Sequence, residues 1–263
     1  MAAVEGVCRC CGERRPLVKA HIIPEAFFRA IGTGKDAPLL VSNRSDMPFP
    51  RRTPIGVYDA ELLCDPCERK FDRIDAYGTK TLLQTLRGPA LSPMRHNGEV
   101  IGFEAHGINQ SLLLRFLVAT LWRASVTKQP MFDRVALGER YEKLAKDALT
   151  EDSNLSSDFG AVLAVFKDRE GIDESIGFGD PIRQRYDGVN IYRFYFGPYH
   201  AHIKVDGRPF GKELGIAALG VSPILRVIRR DFKVSKDFRS MQRTAVGQYE
   251  NSVAARQRLG RKD

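Results

Sequence analysis

Five cysteines lie within the first 67 residues of this 263-residue chain, and none follows. Four of them form two pairs of equal spacing, Cys8-x-x-Cys11 and Cys64-x-x-Cys67. That spacing sets two thiolates one tight turn apart, so both pairs can reach a single tetrahedral ion. In a reducing compartment, such clustering favours metal binding over disulfides. The sequence therefore reads as one structural Zn2+ held by Cys8, Cys11, Cys64 and Cys67. Four thiolates leave no open position for water, so the ion is expected to stabilise the fold, by on the order of 10 kcal/mol, and to take no part in catalysis. Cys10 adjoins Cys11, and the Cys8-x-x-Cys11 spacing suits an ion better, so Cys10 is read as a free thiol.

Between the pairs lies KAHIIPE, in which His21 follows a small residue and precedes two isoleucines and a proline. A histidine alone in an apolar strand reads first as a core residue. The stretch DAELLCDPCERKF then sets Asp59 ahead of Cys64 and Glu68 directly after Cys67. Glu68 opens a helix, where any carboxylate is favoured by the dipole. Asp72 shares its helix face one turn on. In ERKFDRID, however, Asp72 and Asp75 alternate with Arg69, Lys70 and Arg73, the pattern of a solvated, salt-bridged face.

The cysteine frame, HIIP and CE together resemble the zinc-containing branch of the HNH (His-Me finger, ββα-metal) endonucleases. In that branch a cysteine pair precedes a strand carrying HIxP, and an NLxxLCxxCH segment begins the helix. The likeness covers residues 8 to 75. It implies that His21 matches the general-base histidine, Asp59 the usual asparagine, and Glu68 the histidine that binds the catalytic metal. On that implication, neutral His21 takes a proton from a water aimed at a backbone phosphorus, and Asp59 orients its other ring nitrogen. A divalent ion held by Glu68, with Asp72 as a second ligand, stabilises the departing 3′ oxygen. Ala20 stands where many members carry an acidic residue. Asp59 and Glu68 are hard oxygen donors that suit Mg2+ or Mn2+ better than a soft ion.

Outside this segment, His200 and His202 lie two apart on a strand, share a face, and could bind a metal or a phosphate. The simpler reading is surface or partly buried histidines without a ligand. Ile191, Arg193 and Tyr195 alternate with Tyr192, Phe194 and Phe196, which brings aromatic and basic residues near one another as nucleic-acid-binding sheets do, a pattern that strand packing explains equally well.

Positioning these groups requires a particular set of elements. Residues 24–30 read as a short helix with Pro24 in its first turn, and 32–37 as a turn. Residues 39–42 and 55–58 read as strands, separated by the loop NRSDMPFPRRTP, expected to be exposed and mobile. A helix is expected over 66–86, stopped by Gly88 and Pro89, followed by a strand at 99–104. The segment 109–128 is apolar nearly all round and predicts a helix buried between layers. An amphipathic helix at 132–149 and the polar linker TEDSNLSSD follow. Strands at 161–166, 189–196, 201–205 and 224–228 predict a small antiparallel sheet, and 239–261 a basic helix. The fold class is α+β: an HNH-like zinc module over 1–88, a central helical region over 89–150, and an α+β region with a basic tail over 151–263.

With 43% hydrophobic and 28% charged residues, wholesale disorder is excluded. Met1 to Val7 hold neither a basic region nor an apolar run, which leads us to expect a cytoplasmic protein. Arg115 and Arg123 interrupt the most apolar stretch, so no membrane partner is expected. The net charge is +9, and from Arg226 onward eleven basic residues face four acidic ones. That excess suits a phosphate backbone or a soluble tail. Three functions follow: a metal-dependent endonuclease acting on nucleic acid, with DNA as the expected partner; a catalytically degenerate zinc module that binds nucleic acid or protein; and a structural zinc domain attached to an unrelated function. Oligomeric state is not legible.

Overall fold

The structure is a computed structural model, and it describes residues 4–31, 38–42, 44–53, 55–87, 90–150, 153–167 and 179–260. The turn expected at 32–37, the helix stop at Gly88 and Pro89, Glu151 and Asp152 of the linker, and the tail residues Arg261 and Lys262 lie outside the described residues.

Strands β1 (Val4–Val7) and β2 (Arg14–His21) form a hairpin whose turn is the first cysteine pair. Gly12 closes that turn, donating to the Cys8 carbonyl at a φ of +77°, a conformation glycine adopts without strain. Helix α1 (Glu25–Ile31) follows, then a two-stranded ribbon of β3 (Leu39–Leu40) and β4 (Arg51–Arg52), and then β5 (Tyr58–Cys64). β5 runs antiparallel to β2, with Leu17 opposite Cys64, Ala20 opposite Asp59 and His21 opposite Tyr58. The strand expected at 55–58 thus begins only at its last residue. Gly56 makes a turn onto the Thr53 carbonyl with φ +77°, packed where a side chain would strike the Phe28 ring.

The expected helix at 66–86 is broken into α2 (Asp65–Glu68), a 3-10 turn over Arg69–Phe71, α3 (Asp72–Leu83) and a second 3-10 turn over Thr85–Arg87. Pro66 occupies the first turn of α2, where its missing N–H costs nothing. The tighter winding sets Phe71 in the core, stacked on Trp122 at 5.8 Å. The proline-rich loop does not hang free. Ser42 N–H donates to Gln248 Oε1, and the Gln248 amide donates to the Met47 and Pro48 carbonyls, fastening the loop to the C-terminal helix.

Beyond the cysteine hairpin, β6 (Leu91–His96) and β7 (Glu99–Ala105) precede α4 (Gln110–Val126), which Asn109 caps by accepting from Leu112 N–H. As its apolar sequence predicts, α4 is buried on nearly every side. It packs on α3 at a close approach allowed by Gly78, where a Cβ would meet the Phe116 ring at 2.1 Å. Helix α5 (Glu139–Thr150) starts seven residues later than expected. A 3-10 turn over Pro130–Phe132 and the left-handed Gly138 delay it.

Strands β8 (Phe159–Lys167), β9 (Ile182–Tyr186), β10 (Val189–Phe196) and β11 (Tyr199–Val205), the short α6 (Lys212–Gly215), β12 (Leu225–Asp231) and α7 (Lys236–Arg258) complete the chain. The expected small antiparallel sheet is larger and mixed. It has seven strands in the order β6-β7-β12-β8-β11-β10-β9, with β12 parallel to β8 and all other pairings antiparallel. One apolar core runs from Cys8 through α4 to Val227, and Phe27, Phe116 and Phe196 meet in it with ring centres 5.3 to 5.9 Å apart. Among the described residues, no helix is long and apolar enough to cross a membrane.

Candidate functional site

The two cysteine pairs converge. Cys8 and Cys11 lie in the β1–β2 turn, Cys64 ends β5 and Cys67 lies in α2, so β2–β5 pairing brings the pairs together. The four sulfurs lie within 4.8 Å of one another, with Cys11 and Cys64 sulfurs 3.9 Å apart. Four thiolates at about 2.3 Å from a tetrahedral ion stand about 3.8 Å apart, so the set fits a metal ion of zinc's size and preference. Among the described residues this is the one group of three or more potential ligands that closes so tightly.

Burial raises a thiol pKa, as at Cys64 and Cys67. At Cys8, burial is outweighed by backbone N–H groups of Cys11, Cys64 and Cys10, which bring it to about 7 and suit it to a thiolate role. Cys10 stays outside the set. It is buried, shares a hydrogen bond with the Cys67 sulfur, and is held protonated by its burial.

His21 ends β2, half-buried, with its Nε2 3.1 Å from the Ile55 carbonyl and 4.0 Å from Glu25 Oε2. A carbonyl only accepts, so Nε2 carries the proton and Nδ1 is left as the proton acceptor. Burial lowers the His21 pKa below its usual value, which keeps the ring neutral at pH 7. Asp59 does not reach this ring. It sits opposite Ala20, one residue out of step with the Tyr58–His21 pair, and strand alternation sends it to the other face. There, buried, it accepts from Glu61 N–H, the Thr127 hydroxyl at 2.6 Å and Lys128 N–H. Asp59 therefore braces the end of α4, and the part of His21's partner falls to the Ile55 carbonyl.

Glu68 does come to His21. Its carboxylate accepts the backbone N–H of His21, while Oε2 is buried with no partner. Burial raises the Glu68 pKa to about 7, with Asp75 and Asp72 adding to the rise and Arg123 opposing it. Asp72 is exposed and joins no ligand cluster. Asp75 faces inward instead of lying on a solvated face. Its two oxygens take Arg123 Nη1 and Nη2 at 2.6 and 2.7 Å, and Arg123 is wholly buried over the face of Phe71.

No family model, curated protein or solved structure matches the chain. The chemistry must therefore be read from the residues alone. Arg123, Asp75 and Glu25 belong to the surroundings of His21 and Glu68; spacing marks neither Arg123 nor Glu25 for this place, and it puts Asp75 on a solvated face. A signal for Arg123 was available: an arginine inside an otherwise apolar helix must find a buried anion.

His200 and His202, expected at or near the surface, are buried in β11. The basic residues of α7 that face outward include Lys236, Arg239, Arg243 and Arg256.

Proposed function

We propose that the N-terminal module is a zinc-stapled, metal-dependent HNH-like endonuclease that hydrolyses phosphodiester bonds in nucleic acid, with His21 as general base. One observation carries this reading. The Glu68 carboxylate accepts from the backbone N–H of His21 and has one oxygen buried and without a partner, next to a residue whose neutral imidazole turns Nε2 to the Ile55 carbonyl. An orphaned buried oxygen is costly unless something binds it. A hard divalent ion is the natural occupant, since Mg2+ and Mn2+ accept one protein carboxylate and complete their shell with water and substrate phosphate. Such an ion supplies Lewis-acid stabilisation of the leaving oxygen when bound. Zn2+ in the four-thiolate set then has a structural role, pinning β2 to the start of α2 so that His21 and Glu68 stay together.

The Ile55 carbonyl fixes the ring by accepting from Nε2. Nδ1 then removes the proton of a water as it attacks phosphorus, and burial keeps the ring neutral and ready for this. The outward basic residues of α7 offer a phosphate backbone an electrostatic surface, which suits DNA as the partner.

Zinc-loaded protein is expected to nick plasmid DNA with Mg2+ or Mn2+, and His21→Ala to abolish nicking while the fold stays intact. Folded, zinc-loaded protein that cuts nothing with any divalent ion sinks the proposal.

A second reading is a binding module that has lost its chemistry. The buried Arg123 cation close to Glu68, and Ala20 in place of an acidic residue, favour it. Salt-dependent DNA binding that survives both His21→Ala and Glu68→Ala, with no product formed, would select this reading.

A further inference from the structure

A second set of polar side chains is buried in the seven-stranded sheet. Arg193 and Tyr195 on β10 stand opposite His202 and His200 on β11, so all four project from one face. Arg230 of β12 joins them, and the first turn of α7 covers the set with Asp237. None of Arg193, Tyr195, His200, His202 or Asp237 is more than 5% exposed.

Asp237 accepts a hydrogen bond from Tyr195 and stands within ion-pair reach of two guanidiniums, although neither its Oδ2 nor Arg193 Nε makes a hydrogen bond. Oδ1 accepts from the Tyr195 hydroxyl and lies 2.9 Å from Arg193 Nε, while Oδ2 is 3.3 Å from Arg230 Nη1. Arg230 Nη1 also stands 3.2 Å from His200 Nε2. A guanidinium can only donate, so Nε2 accepts and Nδ1 carries the proton. That Nδ1, and both ring nitrogens of His202, have no partner. Burial and the neighbouring cations keep both imidazoles neutral, His202 with a pKa of about 3.

The charges and hydrogen bonds do not balance. Two guanidiniums face one carboxylate, which leaves a positive charge uncompensated, and the imidazoles add unmet N–H donors. Each buried, unmet donor costs about 1–3 kcal/mol. The group that settles both debts is an anion rich in acceptors. A metal cation is disfavoured by the flanking guanidiniums. The N-terminus of α7, a helix of 23 residues, adds its own positive potential to the same spot. Tyr195 is the one member of the set that also lines a cavity of about 550 Å³, shared with Ile182, Met241 and Arg243, while the two imidazoles and the two guanidiniums do not line it.

We propose that His200, His202, Arg193 and Arg230 form an internal binding site for a phosphate-type oxyanion, with Asp237 holding the two guanidiniums in place. The site is independent of any nuclease activity at His21. The anion is either free phosphate or the phosphate of a monoester whose organic part lies in the cavity.

Calorimetric titration of the full, zinc-loaded chain tests this, with inorganic phosphate and a nucleoside 5′-monophosphate as probes and chloride at matched ionic strength as control. Saturable phosphate binding is expected, weakened about tenfold or more in His202→Leu, the worth of a charge-assisted hydrogen bond. His202 has no partner to lose, so this variant should fold. Should it not, Arg230→Gln carries the same test, because that side chain reaches the surface. Tighter binding of the monophosphate assigns the site to a monoester, and equal or weaker binding to the free anion. Binding no stronger than chloride, or unchanged in both variants, overturns the proposal. So does a structure determined in phosphate that shows only water within hydrogen-bond reach of the free nitrogens of His200 and His202.

Discussion

Replacing Asp75 by asparagine removes the carboxylate that is hydrogen-bonded to the wholly buried Arg123, whose two terminal nitrogens it binds at 2.6 and 2.7 Å. Breaking a buried pair from one side costs about 3–5 kcal/mol, because the remaining ion is stranded. Asparagine keeps one acceptor, and the Phe71 ring 5.2 Å away still faces the guanidinium, so the lower end, about 3 kcal/mol, is expected. Arg123→Met should cost less, about 1–2 kcal/mol, since the orphaned Asp75 is 21% exposed and can hydrate. The double variant should then resemble Arg123→Met alone, so the coupling should equal the whole cost of Asp75→Asn, about 3 kcal/mol. Guanidinium denaturation of the four zinc-loaded proteins measures this cycle. A cost below about 1 kcal/mol for Asp75→Asn, the usual worth of an exposed pair, would refute the reasoning, as would additivity. Glu68 provides a further check. Adding Glu68→Gln to Asp75→Asn should deepen the loss, because Glu68 is the remaining carboxylate acting on Arg123.

Three further outcomes follow. One zinc per chain is expected by elemental analysis of reduced protein, lost in Cys11→Ser and kept in Cys10→Ser, because the Cys10 sulfur lies outside the four-sulfur set. Gln248→Ala removes the bonds to Ser42, Met47 and Pro48, so limited proteolysis should cut within residues 44–53 faster while the melting of the core stays within about 1 kcal/mol of wild type. If nicking is observed, its acid limb at saturating Mg2+, where a bound ion holds Glu68 ionised, should fall below pH 6.5: burial disfavours imidazolium at His21, so the base form persists to lower pH, and a limb above 6.5 under those conditions would contradict the assignment.

The parts of the fold that could be read from the sequence are those governed by local spacing. The cysteine pairs, the all-round apolar α4 and the strand texture after residue 158 each carry their own signal. What was missed depends on partners distant in sequence. Asp75 looks solvated because its neighbours are charged, and its true partner lies 48 residues away on α4. Asp59 and His21 lie on adjacent paired strands, but a one-residue offset in register puts them on opposite faces, and register is not written in either strand alone. The loop NRSDMPFPRRTP has a mobile composition, yet Gln248, Asn251 and Ser252, some 200 residues later, hold its Arg44, Met47 and Pro48 carbonyls. Burial of His200 and His202 follows from α7 closing over β11, a packing that a strand's own alternation does not reveal.

The order of strands in the large sheet bears on how the molecule is made. β12, the last strand to be synthesised, occupies a place in the middle, between β7 and β8. A nascent polypeptide that has not yet delivered Leu225–Asp231 therefore leaves the ribosome with two raw edges of unpaired amides facing each other across a gap. Such a chain can finish its interior only in one late step, which makes this interval the moment of greatest exposure to aggregation and to chaperones.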